Sequence, residues 1–323
     1  MNVLDVTKKI VKGLLPGFLT IPGELSALSA RIDETRILTA RILIRQMKER
    51  GILESLKEAE FKVFSQFGDD GIIQYIVHRT GISPEEESFV EFGVGDYSES
   101  NTRFLLLNDN WRGLVMDSDA GRIASLRNSD LFWRHDLTAV PAFVNRENLD
   151  DLLHAHGFER NLGLLHIDID GNDYWVWEAL GGASPVIVVM EYNSVFGPER
   201  AVTIPYDPSF RRTRAHHSNL YWGCSLKALC LLGEKKGYAF AGTNSHGNNA
   251  YFVRKDRAGN LRLPGPETGF VASRFRESRD EKGRLTYLSG KSRLGPIAHL
   301  PLFDLERQAM VRVEELAGNA GQP

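Results

Sequence analysis

The sequence contains very little cysteine, which limits both the fold class and the cellular compartment. Cys224 and Cys230 are the only thiols in 323 residues, and they form neither a C-x-x-C pair nor part of a larger cluster. A disulfide framework and a structural zinc site both need more cysteines in closer patterns. The sequence therefore predicts a fold held by a hydrophobic core, in the reducing cytoplasm.

Long hydrophobic runs and an excess of charge of one sign are also absent. No segment approaches the roughly 20 consecutive apolar residues of a membrane-spanning helix. Lys and Arg number 39 against 42 Asp and Glu, so no overall positive field would attract the chain to nucleic acid. A content of 42% hydrophobic and 25% charged residues is instead typical of a folded protein of enzyme size.

Residues 1–20 mix lysines with apolar side chains, but Lys12 and Pro16 interrupt the run that a signal peptide needs. Secretion is therefore not expected. An amphipathic helix of this kind can lie on a membrane surface, which would place the protein peripherally at the inner face of the membrane. The alternative, which we favour, is a helix packed on its own protein.

Helical periodicity extends through residues 1–60. Between Pro22 and Lys62, apolar residues recur at mixed three- and four-residue steps, as at Leu25, Leu28 and Ile32. We expect a helical segment that either packs on the rest of the protein or forms a homo-oligomer with a second copy. The steps are too irregular to predict a sustained heptad coiled coil.

Residues 61–256 show alternating strand and helix patterns, which predict an α/β, Rossmann-like fold with a mostly parallel sheet. The predicted strands are Ser88–Phe92, Gly113–Met116, Phe132–His135, Leu164–Ile169 and Pro185–Met190, followed by an antiparallel closing pair, Tyr238–Gly242 and Ala250–Arg254. Residues 257–323 are rich in Gly, Arg, Ser and Pro. We expect them to form a lid or packing arm with a frayed end.

A glycine-containing loop follows the first predicted strand. In Glu91-Phe92-Gly93-Val94-Gly95, the glycines allow a sharp turn and a close approach of the backbone to a ligand. The dinucleotide fingerprint needs a third glycine, and Ser98 stands at that position. The loop therefore favours a cofactor without a pyrophosphate. The other side chains expected at this cofactor are Glu91, Asn101 and Thr102.

An acidic residue ends the second predicted strand. Asp117 lies 22 residues after Gly95, and a carboxylate at this point can accept hydrogen bonds from both hydroxyls of a ribose. Ser118 follows directly and is expected at the same site. Asp136 comes after the predicted third strand, where a strand end approaches an adenine, although a solvated turn residue is an equal interpretation.

Together these motifs resemble the FkbM-like S-adenosylmethionine (SAM)-dependent methyltransferases. The resemblance covers about residues 64–254 and rests on five segments: Ser65-Gln-Phe-Gly-Asp-Asp-Gly71, Val90-Glu-Phe-Gly-Val-Gly95, Gly113-Leu-Val-Met-Asp117, Leu165-His-Ile-Asp-Ile-Asp-Gly-Asn-Asp173 and Val188-Val-Met-Glu-Tyr-Asn193. It implies a Rossmann-like fold, SAM as methyl donor and a hydroxyl acceptor that is often a sugar. The family usually has Asp-x-Glu-Gly where this chain has Asp168-Ile-Asp170-Gly171, so the catalytic roles implied for these two aspartates follow a changed motif.

Acidic and amide side chains follow the fourth and fifth predicted strands. They are Asp168, Asp170, Glu191 and Asn193. Strand carboxyl ends meet at one edge of an open α/β sheet, so we expect these groups to converge. Two interpretations stay open. Asp168, Glu191 and Asn193 bind Mg²⁺ or another divalent ion that lowers the pKa of the acceptor hydroxyl, or they hydrogen-bond the substrates without a metal.

A long loop, residues 193–221, is the predicted acceptor-binding segment, because loops of this length in compact domains are usually functional or disordered. The residues expected to contact the acceptor are Arg211, Arg212, Arg214 and Tyr221. The arginines suit a carboxylate or phosphate on that molecule. His217 or His216 is the expected general base, since an unperturbed imidazole titrates near neutral pH.

The sequence therefore predicts a SAM-dependent O-methyltransferase with a small-molecule or glycan acceptor. One alternative is an NAD-dependent oxidoreductase or epimerase of nucleotide sugars, which the missing third glycine disfavours. The other is a non-catalytic scaffold that assembles through its N-terminal helix and retains a vestigial cofactor fold. The presence of Gly93, Gly95 and Asp117 argues against a cofactor fold that has lost its function.

Overall fold

The computed structural model describes residues 3–316, with the backbone alone for residues 3–23 and for residue 26. The chain divides after Gln46 into two compact units. The amphipathic start at residues 1–20 lies outside the described side chains, so its predicted membrane contact stays a prediction. In the described part of the chain, no helix is both long and apolar enough to cross a membrane.

Helices and strands alternate through most of the chain. The α-helices are α1 (Val3–Arg50), α2 (Asp69–Thr80), α3 (Arg103–Asp109), α4 (Ala120–Arg127), α5 (Asp130–Arg134), α6 (Leu149–Ala155), α7 (Asp173–Ala179), α8 (Arg212–Ala215), α9 (Leu226–Lys235) and α10 (Pro266–Gly269). The strands are β1 (Ser88–Phe92), β2 (Arg112–Asp117), β3 (Leu137–Pro141), β4 (Leu164–Ile167), β5 (Ile187–Glu191), β6 (Val202–Thr203), β7 (Tyr238–Thr243), β8 (Asn249–Arg254), β9 (Pro301–Asp304) and β10 (Ala309–Arg312).

The first unit consists of most of α1, a single helix that covers much of the predicted helical segment and ends at Arg50. Several of its apolar side chains are open to solvent: Leu25 is 60% exposed, Leu28 is 54% exposed and Ile32 is 45% exposed. A helix usually buries its apolar stripe, and the packing of this helix on the rest of the protein or its pairing with a second copy stays a prediction.

The main sheet has seven strands in the order β3-β2-β1-β4-β5-β8-β7. The first five run parallel, β8 is antiparallel to β5, and β7 is antiparallel to β8. This arrangement confirms the predicted Rossmann-like α/β fold with an antiparallel closing pair. Strand order reverses between β1 and β4, and ligands of such sheets bind outside the carboxyl ends of the strands at this point.

Both faces of the sheet are buried, which explains the nearly continuous apolar runs of its strands. Along β1, Phe89 belongs to the core on one face, and Val90 and Phe92 belong to the core on the other. Leu114 and Val115 of β2 alternate in the same way. The carboxylate of Glu91 is the polar exception within β1, and its partners are described below.

The third predicted strand is wrong. Residues 130–134 form helix α5, and the strand follows at Leu137–Pro141. Phe132 and Trp133 suggested a strand because aromatic residues favour sheets. Ser129 and Asp130 are, however, favourable residues for a helix start, and Trp133 is 71% exposed, as a surface helix permits.

The C-terminal region forms a small second sheet, in the order β10-β9-β6. Strand β9 pairs with β6, which lies in the long loop after β5. Ile297, Leu302 and Phe196 belong to the apolar cluster beside this sheet. The C-terminal segment is therefore packed against the loop that was predicted to bind the acceptor.

Candidate active site

The glycine loop lies between the ends of β2 and β4. Gly93 and Gly95 have φ values of +77° and +57°, a region that favours glycine. A Cβ on Gly93 would lie 1.8 Å from the main-chain oxygen of Asp168, and the Gly93 amide donates to the Met116 carbonyl at 2.9 Å. This position of the backbone therefore requires glycine for both its conformation and its space.

Asp117 fixes the same loop from the end of β2. Its Oδ2 accepts a hydrogen bond from the Gly95 amide at 2.8 Å, and its Oδ1 accepts one from the Asp119 amide at 2.7 Å. Each carboxylate oxygen has two lone pairs, so both oxygens retain acceptor capacity. The side chain is therefore rigid and still able to bind a ligand.

A cavity of about 820 Å³, the larger cavity, lies at the carboxyl ends of β1 to β4. Its walls include Gly93, Asp117, Ser118, Phe143 and Asp168. It is large enough for a nucleoside-sized ligand, since ligand sites usually measure about 300 to 1,000 Å³. Gly93, Asp117 and Ser118 thus lie where the sequence analysis expected a cofactor.

Glu91 was predicted at the cofactor, but its side chain is buried and does not line this cavity. Its Oε1 accepts from the Asn101 amide and contacts His166 Nδ1 at 2.8 Å. Its Oε2 accepts from the amide and hydroxyl of Thr102 and from the Ser100 hydroxyl. Asn101 and Thr102, also predicted at the cofactor, are thus partners of Glu91 and do not line the larger cavity.

Glu91 and His166 form a buried pair. Burial alone would raise the pKa of Glu91, but the hydrogen bond and charge of His166 hold that pKa below its usual value. Burial would likewise lower the pKa of His166, but Glu91 raises it. Both shifts favour the ionised pair. The Glu91 carboxylate of this pair holds residues 100–102, the segment after the glycine loop, through hydrogen bonds.

We expect Glu91→Gln to lower the free energy of unfolding by about 1 to 3 kcal/mol. Both carboxylate oxygens accept a backbone N–H, so an amide must place its own NH₂ against one of these donors. Urea denaturation measures the change, with the exposed Glu85→Gln as the matched control. Equal unfolding midpoints for the two variants would contradict the role assigned to Glu91.

Asp136 lies at the opposite edge of the sheet, so its predicted adenine contact is wrong. It precedes β3, and its side chain is 71% exposed and 3.9 Å from Arg112. The residues that follow the carboxyl end of β3, Phe143 and Val144, line the larger cavity instead. This error follows directly from the misplaced third strand.

Asp168 follows β4 and Glu191 ends β5, and the charge of Asp168 raises the pKa of Glu191. Burial raises the pKa of Asp168 to about 7, and the charge of Asp170 adds to this shift. Burial and repulsion from Asp168 raise the pKa of Glu191 well above its usual range. Two neighbouring carboxyls do not readily ionise together, so we expect one of them to stay protonated near neutral pH.

A second cavity of about 290 Å³, the smaller cavity, adjoins the larger one. Asp168, Asp170 and Arg212 line both. Glu191 lines the smaller cavity, and its Oε2 is buried without a hydrogen-bond partner among the described residues. A molecule in the smaller cavity would therefore meet the carboxyl pair and a ligand of the larger cavity at the same point.

Asp170 and Arg212 hold the boundary between the cavities. Asp170 has a φ of +55°, and its Oδ1 accepts from Arg212 Nη1 at 2.7 Å. Arg212 also donates to the Asn219 carbonyl and lies 3.9 Å from Glu277. Its charge is therefore balanced by two carboxylates, and because it lines both cavities its predicted contact with the acceptor stays a prediction.

Asn193 does not face the cavities with a free amide group. Its Nδ2 donates to the carbonyls of Leu220 and Trp222, and its Oδ1 accepts from the Val195 amide. Within residues 3–316, no three His, Cys, Asp or Glu side chains are arranged to hold a metal ion. Asp168, Glu191 and Asn193 all line the smaller cavity, and the predicted metal set of these three residues stays a prediction.

The two predicted histidine bases lie outside both cavities. His216 Nδ1 is 2.8 Å from the Ser218 hydroxyl, and the rings of His216 and His217 are 4.1 Å apart. His299 lies near the same pair, at 6.0 Å between ring centroids. Neither histidine lines a cavity wall, so the carboxyl pair is the better placed base.

The other loop residues are divided between the sites. Arg211 lines the larger cavity and lies over the Phe143 ring at 4.9 Å, whereas Arg214 is exposed and lines neither cavity. Tyr221 donates to the Pro301 carbonyl and belongs to the small apolar core beside the second sheet. Arg214 and Tyr221, both predicted to contact the acceptor, therefore line neither cavity.

Comparisons with known proteins give a distant likeness only. No protein-family model matches the chain, and no curated protein matches it in sequence. Similar solved structures include an O-methyltransferase from Bacillus cereus in complex with SAH, at 12% identity over 68% of this chain and 89% of that chain, with a TM-score of 0.39. The N-terminal domain of EvdMO1, in the presence of SAH and D-fucose, is 11% identical over 69% of this chain and 97% of that chain, with a TM-score of 0.36. An O-methyltransferase family protein from Burkholderia thailandensis is 11% identical over 74% of this chain and 72% of that chain, with a TM-score of 0.33.

Proposed function

We propose that this chain is a SAM-dependent O-methyltransferase whose acceptor is a hydroxyl of a sugar or a similar polyol. The observation that supports it best is the junction of the two cavities at Asp168. The larger cavity offers the cofactor a glycine loop and Asp117. The smaller cavity offers an acceptor the carboxyl pair of Asp168 and Glu191.

The larger cavity suits SAM better than a dinucleotide. Asp117 faces it with spare acceptor capacity for a ribose diol. Helix α3 begins only at Arg103, ten residues after Gly93, so no helix N-terminus lies directly behind the glycine loop to bind a pyrophosphate. This separation and Ser98 at the third glycine position both disfavour the oxidoreductase alternative.

The carboxyl pair provides the base that this reaction needs. When bound, SAM supplies an electrophilic methyl group on a sulfonium sulfur. The ionised member of the pair would accept the proton of the acceptor hydroxyl, while bound SAM would supply the methyl group as its methyl–sulfur bond breaks and SAH leaves. The neighbouring carboxyl, still protonated, donates a hydrogen bond to the same group or to the acceptor. With SAM in the larger cavity and the acceptor in the adjoining smaller cavity, the acceptor oxygen would face the methyl group.

Calorimetric titration tests the cofactor assignment. We expect micromolar binding of SAM, no binding of NADH, and a loss of SAM affinity of about 30-fold or more in Asp117→Ala. The loss follows because Asp117 both binds the ribose and positions Gly95. Asp136→Ala, an exposed acid at the other sheet edge, is the control. Retained SAM affinity in Asp117→Ala would remove the ribose assignment, and NADH binding would favour the oxidoreductase.

A further inference from the structure

Arg293 is a buried arginine in the wall of the smaller cavity, and no acidic side chain among the described residues pairs with it. It is 5% exposed, its Nη1 donates to the Phe275 carbonyl at 3.3 Å, and its Nη2 donates to the Ser273 carbonyl at 3.4 Å. Its Nε has no hydrogen-bond partner among the described residues. Burial lowers the pKa of Arg293, and no neighbouring carboxylate opposes that shift.

Two other arginines with little exposed side chain, Arg212 and Arg200, have acidic partners. Arg212, in the same cavity, pairs with Asp170 at 2.7 Å. Arg200 pairs with Asp304, whose side chain is almost fully buried. A buried charge without a counterion is unfavourable in the free protein. Arg293 differs from these arginines because the described chain leaves its charge available to a ligand.

The carbonyls of Ser273 and Phe275 hold the guanidinium in place. The Ser273 amide donates to the Ser194 hydroxyl at 2.8 Å, which fastens this segment to the residues after β5. A guanidinium held in this way offers its remaining N–H groups in a fixed orientation. Such a group binds carboxylate and phosphate oxygens in pairs, which a lysine ammonium does not reproduce.

The smaller cavity therefore offers two unlike groups to one ligand. Arg293 offers positively charged donors, and the buried Oε2 of Glu191 offers an acceptor or, when protonated, a donor. A volume of about 290 Å³ is at the small end of ligand sites, so it suits one sugar unit. We propose that the acceptor bears an oxyanion group, a carboxylate or a phosphate, which Arg293 binds while the reacting hydroxyl meets Asp168 and Glu191. This assignment rests on the proposed methyltransferase function for the identity of the reacting hydroxyl.

Calorimetry with three probes tests the assignment. D-glucuronate and D-glucose 6-phosphate carry the two oxyanion groups, and D-glucose is the neutral control. We expect at least one anion to bind about 30-fold more tightly than D-glucose, and the tighter anion distinguishes carboxylate from phosphate. Equal binding of all three probes, or binding of none of them, would overturn the proposal.

Variants connect this binding to Arg293. In Arg293→Gln the preference for the anion should disappear, and in Arg293→Lys it should fall by about 10-fold, because the charge remains and the paired donors are lost. Arg276→Gln removes an exposed arginine of the same segment and should keep the wild-type preference. Thermal unfolding shows whether each variant is folded. If Arg293→Gln is unfolded, Arg293→Lys alone tests the proposal. An undiminished preference in folded Arg293→Lys and Arg293→Gln would contradict the assignment.

A separate titration with SAH distinguishes failure of this inference from failure of the proposed function. SAH binding without anion preference leaves the methyltransferase proposal standing and removes the role of Arg293. Anion binding that depends on Arg293, without SAH binding, gives the opposite result, because the anion site then exists without the cofactor site. The anion titrations are performed without cofactor, so neither result depends on methyl transfer.

Discussion

Replacement of Asp168 by Asn is expected to slow methyl transfer by about 10² to 10⁴-fold. The amide cannot accept the proton of the acceptor hydroxyl, and Glu191 loses the partner with which it shares a proton. In the unmodified protein, burial raises the pKa of Asp168 to about 7, so the rate should fall as the pH drops below this value and the base becomes protonated. In Asp168→Asn this inflection should disappear.

The measurement is the rate of transfer from radiolabelled SAM across pH 5 to 9, a span that brackets the pKa of about 7. Glu191→Gln and the double variant complete the test. Groups that act as one unit are not additive, so the double variant should be little slower than either single variant. Asp151→Asn, at an exposed position of α6, is the control. Independent, additive losses would argue against a shared proton.

Gly93→Ala is expected to destabilise the protein by roughly 3 kcal/mol or more. The new Cβ would lie 1.8 Å from the Asp168 carbonyl oxygen, at a φ of +77° that side chains rarely adopt. The loop must move away from β4, which displaces the Gly95 amide from Asp117. The same change should therefore also abolish measurable SAM binding.

Gly81→Ala is a matched control for this prediction. Gly81 has a φ of +58°, but a Cβ there would meet nothing within 4 Å. Gly81→Ala should therefore lower the free energy of unfolding by only about 1 kcal/mol, the effect of placing an alanine at positive φ. Urea denaturation of both variants separates strain at positive φ from the collision with Asp168. Similar losses of stability in the two variants would show that the contact between Gly93 and Asp168 is unimportant.

Local patterns were sufficient to predict most of the sheet. The apolar runs of β1, β4 and β5 end abruptly in acids or glycines, because buried parallel strands are apolar throughout and their carboxyl ends reach solvent. The third strand could not be located in this way. Phe132 and Trp133 are aromatic residues of a surface helix, and their composition alone does not distinguish that helix from a strand.

The site was predicted only in part, for a related reason. Asp117 and Asp168 could be placed because they follow recognisable strands. Glu91 lies within β1 and Asn193 follows β5, yet their polar groups form hydrogen bonds within the protein. A sequence gives the position of a polar residue along its strand, but it does not give the donors that other segments bring to it.

Arg293 is the clearest case of a residue that no sequence pattern indicated. It lies in a segment rich in Gly, Arg, Ser and Pro, without periodicity or a motif, and it reaches the smaller cavity through the packing of the C-terminal region. The error with His216 and His217 has the same origin. The near-neutral titration of a free imidazole made them candidates, but neither residue lines either of the two cavities.

By itself the sequence determined the α/β class, the glycine loop and the acids at the strand ends, since each depends on residues close together in the chain. Only the tertiary structure decided which carboxylates are neutralised and which face a cavity. Tertiary packing brought Asp168 near Glu191 and paired Arg212 with carboxylates. It left Arg293 without a carboxylate partner among the described residues. The physical reason is that charge balance depends on contacts between segments distant in sequence, and local periodicity contains no information about them.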